Sequence, residues 1–126
     1  MTKKILWADD NQTFRETMIA SLEMYCSRQG IDVEFDEASN GEELVKKVST
    51  NPYNLVFTDN QMPPGIHGLL ALRQIRENDK KTPIYMVSSS EVGQQAVDLG
   101  ATGYVDKDNR SEFRRSIESA VEKHLR

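Results

Sequence analysis

Two kinds of apolar segment alternate along this chain, and the alternation limits its fold more than any other feature. Short, nearly continuous apolar runs occur at Ile5–Ala8, Leu55–Phe57 and Ile84–Val87, with Tyr104–Val105 as a weaker fourth. Such runs suit strands buried on both faces, as in a parallel sheet. Ile31–Phe35 alternates instead, with Ile31, Val33 and Phe35 on one side, the pattern of an edge strand. Between the runs the apolar period lengthens to that of a helix. Phe14, Met18, Leu22 and Tyr25 or Cys26 form one stripe, with Gly30 as its stop. Leu44, Val45 and Val48 form a second, after Asn40-Gly41 and before Pro52, and Leu69, Leu72 and Ile75 a third. Val92, Ala96 and Leu99 form a fourth, ended by Gly100. Phe113, Ile117, Ala120, Val121 and His124 or Leu125 form a fifth, with Ser111 as its N-cap. A β-α unit repeated five times predicts a doubly wound α/β fold, a parallel sheet with helices on both faces.

The 126 residues fit one domain, expected over 1–126 with no appended output domain. The net charge of −4 argues against direct DNA binding. Arg110, Arg114 and Arg115 read as a solvated face of the last helix and not as a nucleic-acid patch. A single cysteine, Cys26, cannot close an internal disulfide, which points to a reducing, cytoplasmic compartment. The first residues do not form a signal peptide, and no apolar run reaches membrane-spanning length, so membrane insertion is not expected.

Function is legible in where the polar residues fall. Asp9 and Asp10 directly follow the first apolar run, Asp59 ends the third strand, Ser88 the fourth and Lys107 the fifth. In open α/β sheets ligands bind outside the carboxyl ends of the strands, so these side chains aim at one edge. Clustered carboxylates repel unless a cation sits among them, and hard oxygen ligands with room for water suit Mg²⁺. An ammonium and a hydroxyl beside them can hold phosphoryl oxygens. Asp59 is then the natural nucleophile, because carboxylates form aspartyl phosphates.

These residues resemble the receiver domain of two-component response regulators. The matching segments are Ile5-Leu6-Trp7-Ala8-Asp9-Asp10, Leu55-Val56-Phe57-Thr58-Asp59-Asn60-Gln61-Met62-Pro63, Met86-Val87-Ser88 and Gly100-Ala101-Thr102-Gly103-Tyr104-Val105-Asp106-Lys107. The resemblance covers essentially the whole chain. The resemblance implies a flavodoxin-like (βα)5 fold with strand order 2-1-3-4-5. It implies that Asp59 accepts a phosphoryl group from a phosphohistidine on a sensor histidine kinase or histidine phosphotransfer protein. It further implies that Asp10, Asp59 and the backbone carbonyl of Gln61 ligate Mg²⁺ (or Mn²⁺), with Asp9 acting through water. Lys107 and Ser88 would contact the phosphoryl group, Ser88 and Tyr104 would act as switch residues, and Gln61 and Ser90 would tune dephosphorylation. A domain of this kind signals to a downstream protein by phosphorylation-dependent contact or by phosphotransfer, and is not an enzyme beyond its own phosphorylation and dephosphorylation.

The chain also departs from the family pattern. Asp108 follows Lys107 where the family usually has Pro, and a cis bond there would cost roughly 3 kcal/mol, so a trans bond is expected. The loop Met62-Pro63-Pro64-Gly65-Ile66-His67-Gly68 is about one residue longer than usual, and the segment from Ser88 to Tyr104 is short, which predicts a truncated fourth helix. Bland readings stand beside the functional ones. Asp9-Asp10 suits a solvated turn capping the first helix, Tyr104 suits half-buried packing, His67 a loop or helix cap, and Trp7 the core. Two other functions share the fold class: a pseudo-receiver that binds proteins constitutively, and a haloacid-dehalogenase-type phosphatase, whose D-x-D-x-T pattern follows the first strand. A flavodoxin-like binder would need a phosphate loop where Asp9-Asp10-Asn11 would repel the anion.

Overall fold

The computed structural model describes residues 1–126 and contains five strands alternating with five helices. These are β1 (Lys3–Ala8), α1 (Gln12–Arg28), β2 (Val33–Ala38), α2 (Gly41–Thr50), β3 (Leu55–Asp59), α3 (Gly68–Arg76), β4 (Ile84–Ser88), α4 (Ser90–Asp98), β5 (Gly103–Asp106) and α5 (Arg110–Leu125). All strand pairs are parallel, in the order β2-β1-β3-β4-β5.

The continuous apolar runs follow from burial of the sheet on both faces. Ile5, Trp7, Leu55, Phe57, Val87 and Val105 point into one core with Leu22 and Cys26 of α1 and Ile117 and Val121 of α5. Their sequence neighbours Leu6, Ala8, Val56, Ile84 and Met86 point into the other, with Leu44, Leu72 and Ala96 of α2, α3 and α4. Successive strand residues face opposite sides, so each must be apolar.

Helix ends explain where the strands begin. Gly30 has φ +71°, the left-handed conformation that glycine adopts at least cost. The Gly30 and Ile31 N–H groups donate to the carbonyls of Ser27 and Cys26, closing α1 with a Schellman motif. Gly100, with φ +107°, closes α4 in the same way through Val97 and Ala96. The first motif corrects one expectation. Ile31 belongs to the α1 terminus and not to the edge strand, which starts two residues later at Val33 and runs on to Ala38. Two further corrections concern helix ends. Ser111 lies inside the first turn of α5, and Asn109 holds the N-cap position without a side-chain cap bond. Leu99 follows the end of α4 and is exposed.

The fourth helix spans nine residues. It packs tightly on β5 because Gly93 has no side chain: a Cβ there would land in the ring of Tyr104. We predict that Gly93→Ala costs about 1–3 kcal/mol in urea denaturation and shifts the Tyr104 ring resonances, as overpacking requires. Gly30→Ala, with nothing within 4 Å of the new methyl, should cost about 1–2 kcal/mol through backbone strain alone and leave Tyr104 unmoved.

Candidate functional site

The strand register brings the polar residues to one edge. Ala8 lies beside Thr58, which sets Asp9 next to Asp59 at the centre of the sheet. Asp59 lies beside Val87, and Ser88 beside Asp106, so Lys107 follows immediately beyond the last strand pair. The Lys107 N–H donates to the Ser88 carbonyl at 2.9 Å, tying these two strand ends together. A cavity of about 630 Å³ opens at this edge, lined by Asp9, Asp10, Asp59, Lys107, Arg110 and Gln61 among others.

The loop after β1 is built to free its acidic pair. Asn11, not Asp9 or Asp10, caps α1, its side chain accepting the Phe14 N–H at 3.0 Å. Asp9 is almost fully buried and accepts the Asn11 N–H at 2.9 Å. Arg15 clamps the loop from below. Its guanidinium donates to the Asp9 carbonyl at 2.6 Å and to the Glu37 carboxylate at 2.7 Å. Sequence reading missed Arg15, since nothing in a helical arginine announces that its partners are a strand-end carbonyl and a carboxylate 22 residues away.

Asp59 is held just as closely. Lys107 Nζ sits 3.0 Å from Oδ1, and the Asn60 N–H donates to the same oxygen at 2.8 Å. Oδ2 is left without a protein donor. Behind it, Asn60 takes the N–H groups of both Gly68 and Leu69, which draws the start of α3 against the strand end. A Cβ at Gly68 would collide with the Asp59 carbonyl, so this approach requires glycine. His67 caps α3 through Nδ1, which accepts the Leu70 N–H at 3.3 Å.

Ligand oxygens of Asp9, Asp10 and Asp59 lie within 4.8 Å of one another. Burial pushes the Asp9 carboxyl above its ordinary value, and the charges of Asp59 and Asp10 push the same way. The Asn11 N–H and Lys107 oppose them. An all-oxygen set with one exposed member and an open cavity fits a hard divalent cation.

The remaining sequence-predicted residues fall into two groups. Gln61 is exposed and lines the cavity. Ser88, Ser90 and Tyr104 do not line it. Ser88 is buried, and its hydroxyl donates to the Ser89 carbonyl at 2.9 Å. Ser90 is the exposed first residue of α4, and Tyr104 is half-buried against Gly93. The Lys107–Asp108 bond is trans; the one cis bond is Pro63–Pro64. Trp7 is fully buried, stacked 4.8 Å from Phe57 and edge-on 6.4 Å from Phe14, whose ring lies 5.4 Å from Lys107 Nζ. Arg110, Arg114 and Arg115 are all exposed, as a solvated face requires; Arg114 and Arg115 pair with Glu118 and Glu112, and Arg110 also lines the cavity.

Residues 5–118 match the family model of the response regulator receiver domain. The chain belongs to this family. Receiver domains are signalling modules that sensor histidine kinases phosphorylate and that bind Mg²⁺ at an acidic site. This receiver is 33% identical over 110 residues to the alkaline phosphatase synthesis transcriptional regulatory protein PhoP of Bacillus subtilis, covering 85% of this chain and 43% of that one. It is 36% identical over 107 residues to the transcriptional regulatory protein ResD of the same organism, covering 82% and 41%. It therefore spans less than half the length of these relatives. Among solved structures it resembles response regulator TrrA of Thermotoga maritima in complex with Mg²⁺-BeF, at TM-score 0.76 and 32% identity over 94% of this chain and 98% of that one. Its fold is also that of the chemotaxis response regulator CheY4 of Vibrio cholerae, at TM-score 0.77 and 24% identity, covering 95% and 99%. No helix is long and apolar enough to cross a membrane.

The repulsion within the acidic cluster yields a direct expectation. Asp9→Asn should raise the melting temperature by a few degrees without divalent ions, since it neutralises a carboxylate destabilised by burial and like charge. The same variant should bind Mg²⁺ about tenfold more weakly and gain less stability when the ion is added. Thermal unfolding with and without Mg²⁺ checks both signs.

Proposed function

We propose that this receiver accepts a phosphoryl group on Asp59 from a phosphohistidine of a sensor histidine kinase or histidine phosphotransfer protein. The observation that carries this reading is the asymmetry of the Asp59 carboxylate. Lys107 and Asn60 immobilise Oδ1 while Oδ2 faces no protein donor, beside the acidic pair Asp9 and Asp10.

Asp10, Asp59 and the Gln61 backbone carbonyl would hold Mg²⁺ or Mn²⁺ directly, and Asp9 through water. When bound, the ion neutralises charge on the transferring phosphoryl group. The chain's own residues supply the rest. Asp59 Oδ2 forms the bond to phosphorus, and the N–P bond of the donor breaks. The imidazole leaves with the electron pair and is reprotonated from solvent. In the acyl phosphate Oδ1 is a neutral carbonyl oxygen, so the Lys107 ammonium pairs with a charged phosphoryl oxygen instead. The Ser88 hydroxyl turns from the Ser89 carbonyl toward the phosphoryl group. Tyr104, seated in the notch at Gly93, registers that movement in α4. Gln61, on the cavity wall, orients the water that later releases phosphate, and Ser90 flanks the same path.

The output is a shift between two conformations, one of which a partner protein binds better, or onward transfer of the phosphoryl group. Signalling through protein contacts, in the cytoplasm and without direct DNA contact by this domain, completes the reading. The Asp59 position, at the end of the central strand, supports phosphoryl acceptance over a phosphatase mechanism that starts from the first strand.

Incubation with acetyl phosphate and Mg²⁺ should give a single phosphoryl adduct by intact mass. Asp59→Asn should abolish it, and Gln61→Leu should prolong it several-fold. An adduct that persists in Asp59→Asn, or none in the wild type with no beryllofluoride binding either, would sink the proposal.

A further inference from the structure

We infer that Arg110 captures the anionic end of the phosphoryl donor at the mouth of the Asp59 cavity, before transfer; this deepens, and rests on, the reading of Asp59 as the phosphoacceptor. The difficulty that Arg110 resolves is electrostatic. Three carboxylates face a cavity that must admit a doubly charged phosphoryl group. Two cations line that cavity, Lys107 and Arg110. Lys107 is already engaged, 3.0 Å from Asp59 and over the Phe14 ring. Arg110 forms no ion pair and no side-chain hydrogen bond within the protein, unlike Arg114 and Arg115 one turn further on. It is exposed, so its charge is available to an arriving ligand.

The position of Arg110 follows from the loop that departs from the family pattern. The Asp106 carboxylate accepts the Asp108 N–H at 2.9 Å, and its carbonyl accepts the Asn109 N–H at 3.3 Å. That turn starts α5 at residue 110, directly over the cavity. Phe113 and Phe14, with ring centroids 6.4 Å apart, wall the same side. A guanidinium beside an apolar wall is less screened than one in open water, and its planar fork matches two phosphoryl oxygens. The task of Arg110 is thus separate from that of Lys107. Lys107 attends Asp59, the carboxylate before transfer and a phosphoryl oxygen after it, whereas Arg110 acts on the donor and sets the concentration at which transfer is half-maximal.

Acetyl phosphate tests this at saturating Mg²⁺. In that reaction Asp59 Oδ2 bonds to phosphorus, and acetate leaves with the electron pair of the broken P–O bond, so no proton is exchanged. Adduct formation is followed by intact mass and by Trp7 fluorescence. Arg110→Ala should raise the half-saturating acetyl phosphate concentration about tenfold at low ionic strength, and high salt should shrink the difference. The maximal rate, the Mg²⁺ affinity and the decay of the adduct should stay at wild-type values, and Arg110→Lys, which keeps the charge but not the fork, should recover part of the loss. An unchanged half-saturating concentration in Arg110→Ala, or a loss equal at low and high salt, overturns the inference while leaving Asp59 as acceptor. No adduct in the wild type overturns the Asp59 reading and this inference together.

Discussion

Asp9, Asp10 and Asp59 hold their oxygens within 4.8 Å of one another, and the rest of the structure answers to that constraint. Burial displaces the Asp9 carboxyl upward, and the like charges of Asp59 and Asp10 beside it push the same way. A chain with no use for the cluster would relax it by moving a loop. Here two of the three residues are pinned from behind: Asp9 at its carbonyl by Arg15 and at its carboxylate by the Asn11 N–H, and the Asp59 carboxylate by Lys107 and the Asn60 N–H. The strain of assembling the cluster is offset by the sheet, whose central strands are apolar on both faces and cannot slip register without exposing one set of side chains.

The same rigidity suggests how a small chemical event becomes a conformational one. Ser88 and Lys107 are joined through the backbone, Tyr104 is three residues before Lys107, and its ring fills the notch at Gly93 of α4. In the proposed phosphorylation, Asp59 Oδ1 becomes a neutral carbonyl oxygen, and Lys107 and Ser88 are offered phosphoryl oxygens instead. Close-packed elements respond to such a change in steps and not by gradual deformation. A pseudo-receiver that binds its partners constitutively would need none of these polar connections, so their joint presence favours the phosphorylated switch.

Much of this was legible in the sequence because it depended on strand ends. Doubly buried strands write themselves as apolar runs, and a carboxylate or lysine that terminates such a run must emerge at the sheet edge. Asp9, Asp10, Asp59 and Lys107 were found by that rule. What the sequence hid depended on geometry across the fold. Ile31 looked like strand because it is apolar at the right parity, but the Schellman turn at Gly30 claimed it. Ser111 looked like a cap, but the Asp106 turn started α5 earlier. Arg15 carries no signal in the sequence and Arg110 reads as part of a solvated face; only the folded chain shows one gripping the Asp9 carbonyl and the other lining the cavity. The Ser88 hydroxyl bonds to the Ser89 carbonyl, a rotamer that no sequence records.

The central claim is that one carboxylate among three is the acceptor, because Lys107 orients it while Asp9 and Asp10 serve the metal. Borohydride reduction of the protein after reaction with acetyl phosphate and Mg²⁺, followed by peptide mapping, tests this directly. The reagent converts an aspartyl phosphate to homoserine and leaves free carboxylates untouched. The account predicts homoserine at position 59 alone. Homoserine at position 9 or 10, with position 59 intact, would contradict it.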